Sequence, residues 1–215
     1  MGNLFIWDFH GVLEKDNEFA VQEVVNRILP EFGFDKKATV EECRMLYGKK
    51  WAEYYKYFAP DADEDIIHKM VIKSTEISIK EKIAYKYIKP TDFAHDVIKK
   101  ISAKGHTNLI MSNSSDEALD YFLESVNMQG LFDHKFGADI HEKSEYGKDT
   151  KTEFLKGFLE KNNFGSIFLI DDMEQAVEMG KKFNAVTFRF HRNKTPPDSK
   201  ANYVIDDLRE LLNFI

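Results

Sequence analysis

Residues 4–11 read LFIWDFHG, and the expected architecture follows from this segment more than from any other. Four apolar residues in a row, without polar alternation, are typical of a strand that is buried on both faces in a parallel sheet. Asp8 and His10 come directly after the run, and Gly11 permits a tight turn. We therefore predict a central strand whose carboxyl end carries Asp8 and His10.

Two later apolar runs also stop at polar residues. Residues 109–111 (LIM) precede Ser112 and Asn113, and residues 167–170 (IFLI) precede the Asp pair 171–172. Apolar positions at helical spacing fill most of the intervals between these runs. Strand and helix in alternation predict an α/β fold, with a Rossmann-like, doubly wound parallel sheet covered by helices on both faces. Further strands are predicted at 185–188 and 203–205.

The interval from residue 15 to residue 88 breaks this alternation. It contains no convincing strand, and its apolar residues fit four amphipathic helices. Lys89-Pro90 marks the return to the alternating pattern. We predict an all-helical domain at 15–88, inserted into a catalytic core that is built from 1–14 and 89–215.

The composition excludes several classes of protein. The chain has 215 residues, of which 43% are hydrophobic, and a formal net charge of −7, so it can bury a core and does not favour nucleic acid as a partner. Cys43 is the only cysteine, which excludes an intrachain disulfide or a cysteine-based zinc site. No apolar run approaches the ~20 residues of a membrane span, and no signal-like segment opens the sequence. We expect a cytoplasmic protein without a membrane partner.

The polar residues at the strand ends suggest the chemistry. In an open parallel sheet the carboxyl ends of the strands line one crevice, which would gather Asp8, Asp171 and Asp172. Three carboxylates repel one another unless a cation lies between them, and oxygen ligands favour Mg²⁺. A carboxylate such as Asp8 can act as a nucleophile toward phosphorus when a metal screens the phosphate.

A phosphate also requires hydrogen-bond donors and positive charge. Ser112 offers a hydroxyl, and the backbone N–H groups that open the following helix add partial positive charge. Lys148, just before the helix predicted at 152–159, could reach the same crevice. Lys151 is a competing candidate for this role.

Four segments together resemble the haloacid dehalogenase-like superfamily, whose members are mostly Mg²⁺-dependent phosphatases. Residues 8–13 (DFHGVL) correspond to the first family motif, and residues 111–114 (MSNS) to the second. Lys148 corresponds to the third motif, although the usual prolines are missing, and residues 170–172 (IDD) to the fourth. The helical insertion after the first motif resembles the C1-type cap of the family.

The resemblance implies a role for each matching residue. Asp8 would attack phosphorus and become an aspartyl-phosphate. The implied phosphate ligands are Ser112, Asn113 and Lys148, although the residue type of Asn113 favours a loop-shaping role over a substrate contact. The implied metal ligands are Asp8, the backbone carbonyl of His10, Asp171 and Asp172, although Asp172 could instead cap a helix.

His10 departs from the family pattern, which usually has a second Asp at this position. An imidazole can protonate a leaving oxygen and later activate water, so we assign the acid/base role to His10. Glu14 is a fallback proton donor. The alternative is a histidine that only orders the loop of a weakened enzyme.

The insertion suggests how a substrate could be recognised. Gly48-Lys49 resembles the substrate-facing loop of C1-type caps, which implies that Arg44 or Lys49 touches the leaving group. Alternatively, the neighbouring aromatic residues simply pack inside the insertion. The sequence thus predicts a Mg²⁺-dependent phosphatase that acts on a small phosphorylated metabolite. A phosphomutase, another reaction of the superfamily, and a binding or regulatory protein with low turnover remain alternatives. Monomer and homodimer both remain open.

Overall fold

The computed structural model describes residues 1–138, 149–192 and 197–215. A six-stranded sheet lies at the centre, with the strand order β5-β4-β1-β6-β7-β8, and every neighbouring pair is parallel. Two short antiparallel strands, β2 and β3, pair outside this sheet. The strands are β1 Leu4–Trp7, β2 Glu14–Lys15, β3 Lys89–Pro90, β4 Thr107–Ser112, β5 His134–Gly137, β6 Ile167–Asp171, β7 Val186–Phe190 and β8 Tyr203–Ile205.

The helices are α1 Asn17–Glu31, α2 Val40–Met45, α3 Trp51–Phe58, α4 Glu64–Lys80, α5 Ile83–Tyr87, α6 Ala94–Ala103, α7 Asp116–Ser125, α8 Thr150–Lys161 and α9 Glu174–Lys182, with a 3₁₀ helix at Leu208–Phe214. Helices α7 to α9 alternate with the strands of the sheet, whereas α1 to α5 follow one another between β2 and β3. No helix in the described ranges combines the length and the apolar character needed to cross a membrane.

Strand β1 lies between β4 and β6, and all four of its residues are buried. Phe5 and Trp7 point to one face and pack with α6, α7 and the 3₁₀ helix. Leu4 and Ile6 point to the other face, where they pack with residues of α8 and α9. Because side chains alternate along a strand, a run that is apolar throughout requires cover on both sides. The predicted Rossmann-like α/β fold is confirmed.

Helices α1 to α5 lie between β2 and β3 in the chain and share a second hydrophobic cluster. Ile28 and Leu29 from α1, Tyr55 and Phe58 from α3, and Met70 from α4 are almost fully buried in it. The paired strands β2 and β3 carry the chain out of the sheet layer and back again. The helices therefore hold themselves together largely through their own apolar contacts.

Several short elements of the structure were not predicted: β2, β3, the 3₁₀ helix, and also β5 and α5. Strand β5 reads HKFG and lies at the edge of the sheet, where two of its four residues are exposed, so it has no continuous apolar run. Helix α5 is separated from α4 by Lys82, whose φ of 52° breaks the helical path. The sequence pattern alone does not show where such a short helix begins.

Candidate active site

The carboxyl end of β1 places Asp8 at the edge of the sheet. Its backbone N–H donates to the carbonyl of Ile170 at 3.0 Å, which extends the ladder between β1 and β6 by one residue. The residue is only 9% exposed. Residues Phe9–Leu13 then form a tight turn, and Gly11 in it has a φ of 86°.

Gly11 is required for space as well as for conformation. A Cβ atom at this position would lie 2.5 Å from Asp172 Cγ, closer than real Cβ atoms approach a neighbour. The left-handed backbone would be strained for any other residue as well. The glycine therefore lets the turn after β1 lie directly against the end of β6.

Three carboxylates converge where β1 and β6 end. Asp8, Asp171 and Asp172 each offer an oxygen, and these three oxygens lie within 4.8 Å of one another. Burial, followed by the charge of Asp8, raises the pKa of Asp171 well above its ordinary value, and the same causes raise the pKa of Asp172 to about 7. Ionisation of both carboxyl groups in the folded protein therefore costs free energy.

The donor set suits a hard divalent cation. Asp172 Oδ1 is buried and has no hydrogen-bond partner among the described residues, and Asp171 Oδ1 accepts from the backbone N–H of Met173 at 2.8 Å. Met173, and not Asp172, is the N-cap residue of α9, so the structure gives Asp172 no capping role. Clustered carboxylate oxygens of this kind are the ligands that Mg²⁺ takes.

A lysine supplies positive charge at the same place. Lys151 Nζ donates to Asp8 Oδ1 at 2.7 Å, and both side chains are largely buried. Burial alone would lower the pKa of Lys151, but Asp8 and Asp171 outweigh it and raise that pKa. Lys148 lies outside the described residues, so the structure does not place it.

The sequence held a signal for Lys151. Helix α8 begins at Thr150, before the predicted start, and so includes Lys151 in its first turn. Leu155, four positions later, is fully buried beneath the sheet. Residues four positions apart share a helix face, so Lys151 points toward the sheet as well.

The end of β4 contributes hydroxyl groups and an amide. Ser112 is fully buried, and its Oγ accepts from the backbone N–H of Ser114 at 3.2 Å. Asn113, Ser114 and Ser115 line the cavity above the sheet. Ser115 also caps α7 by accepting from the backbone N–H of Ala118 at 3.2 Å. The N-terminus of α7 is therefore close to the site, as predicted.

His10 lies in the turn that follows β1, and both of its ring nitrogens contact polar groups. Nδ1 is 3.2 Å from Glu14 Oε1 and 3.3 Å from Asn17 Nδ2, and Nε2 is 3.4 Å from Ser114 Oγ. The ring packs edge-on against Phe122, with a centroid distance of 4.7 Å. These contacts hold the imidazole at the same edge as Asp8.

The helical insertion closes over this edge. Gly48, in the loop between α2 and α3, has a φ of 77°, and a Cβ atom there would lie 2.9 Å from Met173 Sδ and 3.7 Å from Asp172 Oδ2. Lys49 follows it and lines the cavity. Arg44 does not line the cavity; its Nε donates to Glu18 Oε1 at 2.9 Å.

A cavity of about 1430 Å³ lies between the insertion and the sheet. Its floor includes Asp8, Lys151 and Asp172, and its walls include apolar residues of α1 and α4 such as Val24 and Val71. A pocket of this kind, with a few convergent charged groups at one end, is typical of a small-molecule site.

Sequence comparison identifies the family. The family model described as haloacid dehalogenase-like hydrolase matches residues 5–190, which is most of the chain. The comparison with curated proteins found no match.

Solved structures share the fold at low sequence identity. A predicted phosphoglycolate phosphatase from Haemophilus somnus has a TM-score of 0.79 at 13% identity, with 99% of this chain and 97% of that one covered. A predicted phosphatase from Clostridium acetobutylicum has a TM-score of 0.77 at 16% identity, and the match covers 99% of this chain and 97% of that one. A predicted β-phosphoglucomutase from Thermotoga maritima has a TM-score of 0.67 at 16% identity, and the match covers 100% of this chain and 98% of that one. The whole architecture, insertion included, is therefore common to this chain and these proteins.

Proposed function

The chain belongs to the haloacid dehalogenase-like hydrolase family, and on that premise we propose that it is a Mg²⁺-dependent phosphatase. It hydrolyses a small phosphomonoester through an aspartyl-phosphate on Asp8. The observation that carries this proposal is the buried contact of Lys151 with Asp8, beside Asp171 and Asp172. One lysine among three carboxylates leaves a site that is short of positive charge, and a metal ion would supply it.

Asp8 is the nucleophile in this proposal. One of its carboxylate oxygens forms a bond to phosphorus while the ester P–O bond breaks, and the alcohol leaves. Water then attacks the same phosphorus, the bond to Asp8 breaks, and inorganic phosphate leaves. The short distance between Asp8 and Lys151 supports this role, because the hydrogen bond from the ammonium group holds the carboxylate in place.

Lys151 and Asn113, which line the cavity, hold the phosphoryl oxygens in our proposal. The fully buried Ser112 is not part of that lining, and its contact with a phosphoryl oxygen stays a prediction. Lys151 takes the role that we predicted for Lys148, since it is the lysine that the described residues bring to Asp8. The phosphate-binding role of Lys148 itself stays a prediction, because Lys148 lies outside the described residues. Catalysis of phosphoryl transfer depends chiefly on such positioning and on charge stabilisation.

His10 is the proposed acid and base. It gives a proton to the leaving oxygen and later takes one from the attacking water. Its position four residues before the buried Glu14, and its contact with Ser114, keep the ring beside the nucleophile. Glu14 does not line the cavity, which argues against the fallback role as direct proton donor.

The proposed metal ligands are Asp8, the backbone carbonyl of His10, Asp171 and Asp172. The cluster of carboxylate oxygens and the unpaired Asp172 Oδ1 fit a hard cation. When bound, Mg²⁺ would neutralise charge on the phosphoryl oxygens and on the carboxylates.

Residues 15–88 act as a cap in our proposal, and residues 1–14 and 89–215 as the catalytic core. The separate hydrophobic cluster of the helices and their paired linker strands support this division. Closure of the cap would exclude water and select the substrate. A small phosphorylated metabolite is the expected substrate; a cytoplasmic location and the lack of a nucleic-acid partner stay predictions from composition.

A phosphomutase is the second candidate. The similarity of the fold to a predicted β-phosphoglucomutase favours it, because the same nucleophile and cap could return the phosphoryl group to another hydroxyl. Imidazole in place of the usual carboxylate at residue 10 leaves a third alternative, a binding or regulatory protein with low turnover.

Phosphate release from a panel of sugar phosphates, nucleotides and phosphorylated amino acids, with Mg²⁺, tests the proposal. We expect turnover that Asp8→Asn abolishes and that Asp61→Asn, a matched change at an exposed residue, leaves intact. Transfer between two positions of one sugar would favour the mutase. Tight binding without turnover across the panel would favour the binding protein.

A further inference from the structure

We propose that Glu14 is the positioning residue of His10, and that Tyr47 of the helical insertion completes the arrangement by donating its hydroxyl to the same carboxylate. This inference rests on the proposed function, because it explains how an imidazole can replace the carboxylate that the family usually has at residue 10. It concerns how His10 is held, and it leaves the nucleophile and the metal ligands as described.

Glu14 occupies an unusual place for a charged residue. It is fully buried, at 0% exposure, in the short strand β2. Its backbone is fixed by pairing with Pro90 and by Arg192, which donates to its carbonyl at 2.6 Å. An isolated buried carboxylate is costly, so the groups around it must compensate.

Among the described residues, every hydrogen bond to the Glu14 carboxylate is made to one of its two oxygens. Oε1 accepts from the Tyr47 hydroxyl, lies 3.2 Å from His10 Nδ1, and is 3.4 Å from the backbone nitrogen of Gly11. Oε2 is buried without a partner among the described residues. The carboxylate therefore faces His10 and the turn, not the solvent.

This geometry selects one orientation and one tautomer of His10. An acceptor at Nδ1 holds a proton on that nitrogen and leaves Nε2 for the side of Ser114 and the cavity. Asn17 Nδ2 is placed 3.3 Å from Nδ1. The nitrogen and oxygen of an amide exchange places on a half-turn, so Asn17 is compatible with an N–H at Nδ1.

Tyr47 connects the insertion with this pair. It lies in the loop between α2 and α3, whereas Glu14 and His10 lie on the core side, 33 and 37 positions earlier in the chain. Burial and the neighbouring Glu14 raise the pKa of Tyr47 well above its ordinary value, so the phenol remains a donor. The contact is made only when the insertion packs on the core.

Glu14 acts through His10 and not on the substrate. It is absent from the lining of the cavity, whereas His10 is part of that lining. A loss of Glu14 should therefore impair proton transfer to the leaving group more than it impairs binding of the phosphate.

The test compares 4-nitrophenyl phosphate with phenyl phosphate, whose leaving group is the weaker acid and needs proton transfer more. We measure kcat/KM with Mg²⁺, because it reports the steps through formation of the phospho-enzyme. In Glu14→Met, which keeps length but has no acceptor, kcat/KM for phenyl phosphate should fall about tenfold further than for 4-nitrophenyl phosphate. Glu14→Gln, which keeps an acceptor, should restore part of the difference.

Tyr47→Phe should change the ratio of kcat/KM for the two substrates in the same direction as Glu14→Met, but by a smaller factor. The double variant with Glu14→Met should show no loss beyond that of Glu14→Met alone. Tyr55→Phe is the matched control, since Tyr55 is another buried tyrosine of the insertion whose hydroxyl lies 2.5 Å from Ser74 Oγ. It should leave the ratio unchanged.

A second measurement does not depend on turnover. Nitrogen-15 NMR of labelled histidine, with the His10 signal assigned by His10→Ala, should show the proton on Nδ1 in the wild type and a changed pattern in Glu14→Met. Equal losses for both substrates, or an unchanged His10 signal in folded Glu14→Met, would overturn the inference. If the wild type releases no phosphate at all, the proposed function fails and the NMR comparison alone decides.

Discussion

Lys151 Nζ lies 2.7 Å from Asp8 Oδ1, although 143 positions separate the two residues in the chain. The pair is buried between the first turn of α8 and the end of β1, next to Asp171 and Asp172. A buried ion pair of this kind adds little net stability, because desolvation of both charges offsets their attraction. In the proposed function, the pair places a cation where the phosphoryl oxygens of the substrate would arrive.

Replacement of Lys151 by Met should lower kcat by about 10²–10³, the usual loss when one charge-stabilising group is removed. The change also leaves Asp8 without its cation, so the fold must be checked by circular dichroism. Phosphate release with Mg²⁺ is the measurement. Lys148→Met and Lys156→Met serve as controls, and a larger loss in Lys148→Met would return the role to Lys148.

Asp172→Asn should stabilise the metal-free protein at neutral pH. The pKa of Asp172 in the folded state, about 7, is above its ordinary value, so ionisation of this group opposes folding. The penalty is absent at pH values below the ordinary pKa, grows as the pH rises, and is complete above about 7. We expect Asp172→Asn to gain about 1–2 kcal/mol at pH 8 and nothing at pH 4.

Thermal unfolding at several pH values in the presence of a chelator tests this prediction. The exposed Asp61→Asn is the control and should not change the pH dependence. A gain that is equal at pH 4 and pH 8 would show that the stabilisation does not come from the charge of Asp172.

Mg²⁺ should raise the melting temperature of the wild type. Its binding to the native state alone adds about 1.4 kcal/mol when the ion exceeds its dissociation constant about tenfold. The increase should be much smaller in Asp171→Asn, because the cluster loses one negative charge and the neutral amide oxygen is a weaker ligand for a hard cation. Differential scanning calorimetry with Mg²⁺ and with Na⁺ at equal ionic strength separates specific binding from screening, and equal shifts would exclude the site.

Gly11→Ala should destabilise the protein more than Gly33→Ala. Both glycines have a positive φ, 86° and 83°, so both variants incur a similar backbone strain, about 1 kcal/mol. Only at Gly11 would the added Cβ meet Asp172, whereas nothing lies within 4 Å at Gly33. We expect Gly11→Ala to lose activity as well, and Gly33→Ala to retain it.

Denaturant unfolding and phosphate release measure the two effects separately. Equal losses of stability in the two variants would mean that the turn after β1 can move away from Asp172 without penalty.

Part of the site could be predicted because it depends on topology. Asp8, Ser112 and the pair 171–172 follow apolar runs, and parallel strands bring their carboxyl ends to one edge. Lys151 was harder to select, since its neighbourhood is rich in charge. The position of Leu155 on the same helix face is what points it inward.

The contact of Tyr47 with Glu14 could not be predicted. Tyr47 belongs to a loop whose path depends on how the insertion packs, and the sequence indicated Glu14 only as a fallback proton donor. Arg44 shows the opposite error, because a cation near the expected substrate loop instead pairs with Glu18. Neither the contact of Tyr47 with Glu14 nor that of Arg44 with Glu18 produces a periodic pattern in the sequence.

The sequence by itself determined the Rossmann-like sheet and the edge at which the carboxylates meet, because apolar periodicity and strand direction are local properties that fix which residues share an edge. Only the tertiary structure showed that Lys151 reaches Asp8 and that the buried Glu14 carboxylate lies against His10 Nδ1. Those contacts join segments far apart in the chain, and they depend on distances of a few ångströms that follow from the packing of whole helices.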